Sequence, residues 1–193
     1  MRVVLLGPPG AGKGTQAERI CAAWGLPHVS TGDMLRAAIA SGSALGKEVR
    51  ETMDRGHLVP DELIGRIVEE RLSQSDAAKG FLLDGFPRTP VQVEILERVL
   101  GARGRRLDRV VMLELPMETA IARLLLGRRD AAGKSRSDDN EMTIRERMKV
   151  YENETRPIAE LYQQRRLLAK VDATGTIDEV FSRIARTLNG AEA

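Results

Sequence analysis

Residues 2–16 read RVVLLGPPGAGKGTQ, an apolar run followed by a loop of glycine, proline and one lysine. A continuous run of β-branched residues and leucine is typical of a strand that is buried on both faces. Helical spacing begins at Lys13, so the pattern Gly7-x-x-x-x-Gly12-Lys13 lies between a strand and a helix, which is the context of a phosphate-binding P-loop. We expect the loop N–H groups and the positive end of the helix to surround an anion. The alternative is a glycine-rich turn that carries a surface lysine.

The position after the loop lysine departs from the general P-loop pattern. Gly14 stands where serine or threonine is usual, and the hydroxyl arrives one residue later, at Thr15. In switch-type GTPases that hydroxyl ligates magnesium directly. We therefore expect magnesium to be held here through phosphates and water, with help from Asp84 at the end of a predicted strand. A turn-capping role is the alternative for Asp84.

The composition is that of an ordinary globular domain. The chain has 193 residues, of which 42% are hydrophobic and 30% are charged, with a formal net charge of +2. One domain with a sizeable core is expected. The near-neutral charge and an aromatic content of 3% argue against a nucleic-acid-binding surface.

Cys21 is the single cysteine, so neither an internal disulfide nor a cysteine-built zinc site is expected. The apolar run stops at Gly7, and no run approaches the ~20 apolar residues that span a bilayer, so we expect a soluble, cytoplasmic protein with no membrane partner.

Strands and helices are predicted to alternate along the chain. Strands are predicted at 2–6, 27–30, 81–84, 110–115 and 168–171. Helices are predicted at 13–24, 33–41, 44–54, 61–73, 118–127, 141–166 and 177–188, with one more after Thr89. Asp61 is expected to cap the helix that it begins, and Pro157 to kink or break the long pattern. The alternation indicates a parallel sheet covered by helices on both faces. Residues 30–59 and 128–138 do not fit it and are interpreted as inserts on a nucleotide-binding core.

Five segments occur in an order and spacing that resemble those of the adenylate kinase family: GPPGAGKGTQ, STGDMLR, GHLVPDEL, FLLDGFPRTPVQ and RSDDNEMTIRERMKVY. The resemblance covers essentially the whole chain. It implies reversible, magnesium-dependent transfer of the terminal phosphate of ATP to AMP, giving two ADP and maintaining the balance of adenine nucleotides. The implied fold is an α/β P-loop kinase core with a five-stranded parallel sheet and helices on both faces, plus a helical AMP-binding insert and a short lid. The implied boundaries are 1–29, 60–127 and 139–193 for the core, 30–59 for the insert and 128–138 for the lid. The family expectation is a monomer, and the short lid lacks the four cysteines of zinc-binding relatives, so no structural zinc is expected.

The resemblance also implies which residues contact the two nucleotides. The implied ATP contacts are Gly10, Ala11, Gly12, Lys13, Gly14, Thr15, Arg128 and Gly175. The implied AMP contacts are Thr31, Arg36, Val59, Gly85, Arg88, Gln92, Arg136 and Arg147. The implied catalytic set is Lys13, Arg88, Arg128, Arg136 and Arg147. Whether Arg123 or Arg129 shares the role of Arg128 is left open, and Asp138 and Asp139 either orient the lid or are solvated.

The chemistry of transfer to a phosphate explains the emphasis on arginine. The acceptor oxygen of AMP is already ionised, so no general base is needed, and His28 and His57 are interpreted as structural or surface residues. The reaction instead needs cations around the γ-phosphoryl group in a water-free pocket. A planar guanidinium with five donors suits that task better than lysine. Solvation in water is the alternative for each arginine, because the chain contains many.

The identity of the acceptor base leaves a UMP/CMP kinase as the alternative function. Thr31 stands where pyrimidine-specific relatives tend to carry alanine. Gln92 offers an amide that both donates and accepts, as the N6 and N1 edge of adenine requires. A P-loop switch protein would instead need serine or threonine after Lys13 and a guanine-reading N-K-x-D motif, and the sequence has neither.

Overall fold

Five strands form one parallel sheet in the computed structural model, which describes residues 1–126 and 140–190. The strands are β1 (Arg2–Leu6), β2 (His28–Ser30), β3 (Phe81–Asp84), β4 (Arg109–Glu114) and β5 (Leu168–Asp172). In this part of the chain their order is β2-β3-β1-β4-β5, and each neighbouring pair runs parallel. The predicted five-stranded parallel sheet is confirmed, with β4 starting one residue earlier than predicted.

Helices connect the strands, as the alternation predicts. They are α1 (Lys13–Trp24), α2 (Thr31–Ala40), α3 (Ala44–Asp54), α4 (Asp61–Leu72), α5 (Pro90–Gly101), α6 (Met117–Leu125), α7 (Glu141–Val150), α8 (Ile158–Gln164) and α9 (Ile177–Asn189). The predicted pattern at 141–166 is divided, because a π-helical turn at Tyr151–Thr155 follows α7 and α8 begins directly after Pro157. Proline lacks the N–H that continues a helix, so the break at Pro157 is confirmed. The π-helical turn was not predicted.

Both faces of the sheet are covered by apolar helix faces. Successive strand residues point to opposite faces, so Val4 belongs to one buried cluster and Val3 to the other. The cluster on the Val4 face includes residues of α4, α5 and α8, whereas the cluster on the Val3 face includes residues of α1 and α9. The continuous apolar run of β1 is therefore explained by burial on both sides, as predicted.

The parallel register brings the carboxyl ends of the strands to one edge of the sheet. Asp84, the last residue of β3, pairs with Leu5 in β1 and with Ser30 in β2. The loops that follow β1, β2 and β3 consequently leave the sheet side by side. In open parallel sheets this edge is where ligands bind.

Helices α2 and α3 occupy most of residues 30–59, the range interpreted from the sequence as an insert. The two helices pack closely, since a Cβ built on Gly46 in α3 would overlap the backbone of Ala38 in α2. Thr143 of α7 donates a hydrogen bond to the carbonyl oxygen of Asp54 at 3.1 Å, which ties the end of α3 to α7. That this helix pair is an AMP-binding insert stays a prediction.

The prediction that Asp61 caps α4 is wrong. Pro60 is the N-cap, and Asp61 is the first helical residue. Its carboxylate accepts hydrogen bonds from side chains of the chain segment around the start of α5 instead. Thr89, by contrast, caps α5 as predicted, because its hydroxyl accepts from the backbone N–H of Gln92 at 3.1 Å and Pro90 follows directly.

Candidate active site

The loop between β1 and α1 leaves open space at the start of a helix. Gly10 and Gly12 both have left-handed backbone conformations, with φ of 84° and 86°. A Cβ on Gly10 would come within 2.5 Å of the carbonyl oxygen of Ala120, whereas a Cβ on Gly12 would meet nothing within 4 Å. Gly10 is thus required by packing against α6. Gly12 leaves the N-terminus of α1 accessible to a large anion.

The side chain of Lys13 folds over this loop. Its ammonium group donates to the carbonyl oxygen of Gly7 at 2.8 Å and to that of Pro8 at 2.9 Å. These contacts hold a positive charge against the backbone of the loop. The arrangement is that of a phosphate-binding loop, as the sequence predicts.

Asp84 presents a carboxylate to the same edge of the sheet. One of its oxygens lies 3.8 Å from Nε2 of His28, too far for a direct hydrogen bond but close enough for electrostatic attraction. Burial alone would raise the pKa of Asp84, but interaction with His28 and the positive charges of Lys13 and Arg88 outweigh it and hold the pKa below its ordinary value. Asp84 is therefore ionised at neutral pH.

A cleft of about 540 Å³ extends from the loop across the end of the sheet. Its lining includes loop residues together with the following polar side chains: Lys13, Thr15, His28, Asp33, Arg36, Asp84, Arg88, Arg123 and Arg147. His28, interpreted from the sequence as structural or surface, thus lies on the cleft beside Asp84. His28 reaches this position because β2 pairs with β3, and the sequence alone does not reveal that pairing.

A second, smaller cavity adjoins the cleft. It is lined by every predicted AMP contact in the described part of the chain, namely Thr31, Arg36, Val59, Gly85, Arg88, Gln92 and Arg147. Arg36, Arg88 and Arg147 line the cleft as well. Three guanidinium side chains from three separate segments therefore border both cavities.

Local hydrogen bonds hold two of these arginines in place. Nη2 of Arg36 donates to Asp33 Oδ1 at 2.6 Å, one helical turn away in α2. Nε of Arg88 donates to the carbonyl oxygen of Gly85 at 2.8 Å. A Cβ on Gly85 would come within 2.7 Å of Thr31 Oγ1, so this position has room only for glycine. The loop after β3 thus brings its arginine close to the start of α2.

A hydrogen-bond network that the sequence did not predict supports Gln92 at the wall of the smaller cavity. Nε2 of Gln92 donates to Asp61 Oδ1 at 2.8 Å, and the backbone N–H of Arg88 donates to Gln92 Oε1 at 2.7 Å. The hydroxyl of Thr89 also donates to the carboxylate of Asp61, at 3.1 Å. Gln92 itself is only 2% exposed. The four-residue spacing from Arg88 to Gln92 was visible in the sequence, whereas the 31-residue separation from Asp61 carried no signal.

Several predicted positions are not gathered in these two cavities. Gly175 has φ of 96° in the turn between β5 and α9 and does not line either cavity. Arg123, which the sequence left open, lines the larger cleft and donates to the carbonyl oxygen of Ala173 at 3.4 Å. The predicted lid and five side chains in or beside it lie outside the described residues: Arg128, Arg129, Arg136, Asp138 and Asp139.

The carboxylate of Asp84 fits a magnesium ion that is bound mainly by a nucleotide. Within residues 1–126 and 140–190 there is no group of three or more His, Cys, Asp and Glu side chains placed to ligate a metal. One ionised carboxylate beside the phosphate-binding loop can add a single interaction to an ion whose other ligands are phosphate and water.

Among the helices within residues 1–126 and 140–190, none has the length and apolar character needed to cross a bilayer.

The comparisons with known proteins agree on one family. The Adenylate kinase family profile matches residues 5–167. The chain is 48% identical over 188 residues to the adenylate kinase of Xanthomonas euvesicatoria pv. vesicatoria, covering 97% of this chain and 99% of that protein. It is similarly 48% identical over 188 residues to the adenylate kinase of Mycobacteroides abscessus, with the same coverage. It is 46% identical over 190 residues to that of Stenotrophomonas maltophilia, covering 98% and 100% of the two chains.

Proposed function

The chain belongs to the adenylate kinase family, and from that premise we propose how its site transfers a phosphoryl group. The enzyme is a phosphotransferase that moves the terminal phosphate of ATP to AMP in a reversible reaction, giving two ADP.

ATP binds in the larger cleft with its phosphates over the loop, and AMP binds in the smaller cavity. The observation that carries this assignment is the position of Arg36, Arg88 and Arg147, which line both cavities. A phosphoryl group that passes between two nucleotides must cross the border between their pockets. Guanidinium groups at that border neutralise the charge on the equatorial oxygens during transfer.

The loop supplies the remaining contacts to ATP. Backbone N–H groups of residues 10–15 and the start of α1 bind the phosphates, and Lys13, held beside the loop carbonyls, contacts the β- and γ-phosphates. Arg123 contributes a further charge from α6, where it lines the cleft. Gly175 is proposed to contact the adenine of ATP through its backbone.

No side chain is required as a proton acceptor. The phosphate of AMP attacks as an ionised oxygen, so the site has to supply positive charge and exclude water rather than remove a proton. Magnesium bound with ATP supplies part of that charge, and Asp84 would hold it through water. Asp84 itself stays ionised because Lys13, His28 and Arg88 lower its pKa against the effect of burial.

The boundaries of the moving parts remain part of the proposal. We assign residues 1–29, 60–127 and 139–193 to the core, 30–59 to the AMP-binding insert and 128–138 to a short lid. Arg128 and Arg136 would bring two further guanidinium groups to the transferred phosphate when the lid closes. We further expect a monomer in the cytoplasm.

A panel of acceptors tests the proposed function. Purified protein is supplied with ATP and magnesium and with AMP, CMP, UMP, GMP or IMP, and formation of the nucleoside diphosphate is followed by a coupled assay. AMP is expected to give by far the highest kcat/KM. Dominant turnover of UMP or CMP would instead assign the chain to pyrimidine nucleotides and contradict the role given to Thr31, and dominant turnover of UMP would also contradict the role given to Gln92.

A further inference from the structure

We propose that Asp61 is a positioning residue that fixes the orientation of the Gln92 carboxamide and thereby selects the class of acceptor base. The class consists of bases with an exocyclic amino donor beside a ring-nitrogen acceptor. The inference rests on the proposed function, in which Gln92 faces the base of AMP. Asp61 contacts Gln92 and does not contact the nucleotide itself.

The carboxamide of Gln92 is held at both ends by different kinds of group. Its nitrogen donates to Asp61 Oδ1 at 2.8 Å, and its oxygen accepts from the backbone N–H of Arg88 at 2.7 Å. Asp61 belongs to the first turn of α4, whereas Arg88 lies in the loop before α5. Two segments that are distant in the chain therefore meet on one amide.

The two partners allow only one orientation of this amide. A carboxylate can only accept, and a backbone N–H can only donate. If the amide of Gln92 were turned over, its oxygen would face the oxygen of Asp61 and its nitrogen would face the N–H of Arg88. Both contacts would be repulsive, and the side chain is 2% exposed, so water could not restore the lost hydrogen bonds.

Thr89 strengthens the arrangement from the side. Its hydroxyl donates to both oxygens of Asp61 at 3.1 Å and accepts from the backbone N–H of Gln92 at 3.1 Å. The hydroxyl proton is thereby committed to Asp61, which leaves the carboxylate aimed at the start of α5. Asp61 is partly buried, so solvent screens the electrostatic interactions of its carboxylate less than those of a surface contact.

A fixed amide presents a fixed pattern to the cavity that it lines. The second N–H of Gln92 and the second lone pair of its oxygen remain for the base. Adenine, with an acceptor at N1 and a donor at N6, matches that order. Hypoxanthine and guanine present a donor at N1 and an acceptor at O6, which is the reverse. An amide free to turn over would accept either pattern, so the selectivity depends on the orientation that Asp61 and the Arg88 N–H fix together.

Comparison of AMP with IMP isolates this effect, because the two acceptors share their ribose and phosphate and differ at the edge that Gln92 reads. The test variant is Asp61→Asn, which keeps the shape of the side chain and adds a donor, so that either orientation of Gln92 finds a partner at position 61. Glu62→Gln is the matched control, since it removes an acid from the adjacent, exposed position of the same helical turn. Asp61→Glu serves as the conservative variant, because it remains acceptor-only.

The readout is the ratio of kcat/KM for AMP to kcat/KM for IMP, measured with saturating ATP. We expect Asp61→Asn to lower the ratio about tenfold, the typical difference between a charge-assisted and a neutral hydrogen bond, with KM for ATP unchanged. Glu62→Gln should leave the ratio unchanged, and Asp61→Glu should keep more of it than Asp61→Asn does. If Asp61→Asn fails to fold, Asp61→Ala asks the same question, because it removes the acceptor that holds the Gln92 nitrogen.

Two different failures can be told apart. If the unmodified enzyme prefers AMP but Asp61→Asn changes only thermal stability or the rates with both acceptors equally, Asp61 merely links α4 to α5 and the inference is overturned. If the unmodified enzyme does not prefer AMP over IMP and UMP, the proposed acceptor site is itself wrong. A lowered ratio with intact ATP binding supports the inference.

Discussion

The ammonium nitrogen of Lys13 lies 2.8 Å from the carbonyl oxygen of Gly7, six residues earlier in the same loop. The lysine thus binds the backbone of the loop that precedes it. Phosphate oxygens carry full negative charge and compete strongly with carbonyl oxygens for an ammonium group. Phosphates bound over this loop would therefore be strong partners for the Lys13 ammonium group.

Replacement of Lys13 with methionine should reduce kcat about 10²- to 10³-fold, the usual effect of removing one donor that stabilises charge in a transition state. The fold should be retained, because the ammonium group contacts the surface of the loop and not the apolar core. Initial rates and thermal unfolding measure the two effects. Lys79→Met is the matched control, since Lys79 is exposed at the end of a short helical turn and should leave the rate unchanged. A loss of less than about fivefold for Lys13→Met would contradict the assigned role.

Replacement of Arg88 with lysine should lower kcat/KM for AMP by roughly two orders of magnitude. Lysine keeps the charge, but it has a single nitrogen. That nitrogen cannot replace both the Nε of Arg88, which donates to the carbonyl oxygen of Gly85, and the Nη atoms that are proposed to contact phosphate. Steady-state kinetics with varied AMP gives the change, and circular dichroism checks the fold. Arg98→Lys, an exposed position on α5, is the control and should be neutral. Near-normal kinetics for Arg88→Lys would mean that this arginine does not contact the transferred group.

The local pattern of the chain could be predicted well where one short segment determines the outcome. The bounds predicted for β1 and α1 agree with the structure because an apolar run, a glycine loop and a helical pattern follow one another without interruption. Thr89 and Pro90 likewise identified the start of α5. In each case the decisive interactions lie within a few residues of one another.

Contacts between distant segments could not be predicted in the same way. Asp61 stands at the start of a helix, where an acid usually stabilises the helix end, so the local pattern gave the wrong role. Its real partners depend on how α4 packs against α5. His28 lies beside Asp84 because β2 pairs with β3, and a strand of three residues gives no sequence signal for its neighbour. Tertiary packing thus places His28 on the cleft and Asp61 against Gln92.

The thiol of Cys21 should react slowly with alkylating reagents. Partial burial raises its pKa to about 11, so at pH 8 only about one thiol in a thousand is ionised. Iodoacetamide should therefore modify the folded protein at least 10²-fold more slowly than a free cysteine, with the rate rising tenfold for each pH unit up to about 11. Mass spectrometry follows the reaction, and protein unfolded in urea is the control that should react at the ordinary rate. Rapid modification of the folded protein at pH 8 would show that the thiol is not protected by burial.

Alanine substitutions at Gly10 and Gly12 should separate the stability of the loop from its ability to bind phosphate. The two glycines have nearly the same backbone conformation, with φ of 84° and 86°, so each substitution carries a similar backbone cost of about 1–2 kcal/mol. At Gly10 the new Cβ would also meet the carbonyl oxygen of Ala120 at 2.5 Å, which should add about 1–3 kcal/mol of overpacking and lower the melting temperature further. At Gly12 the new methyl group meets no protein atom within 4 Å and instead enters the space proposed for phosphate. Gly12→Ala should consequently raise KM for ATP much more than it lowers stability, whereas Gly10→Ala should lose more stability. Thermal unfolding and ATP titration on both variants decide the matter, and equal effects on stability and on ATP binding would contradict the proposed position of the phosphates.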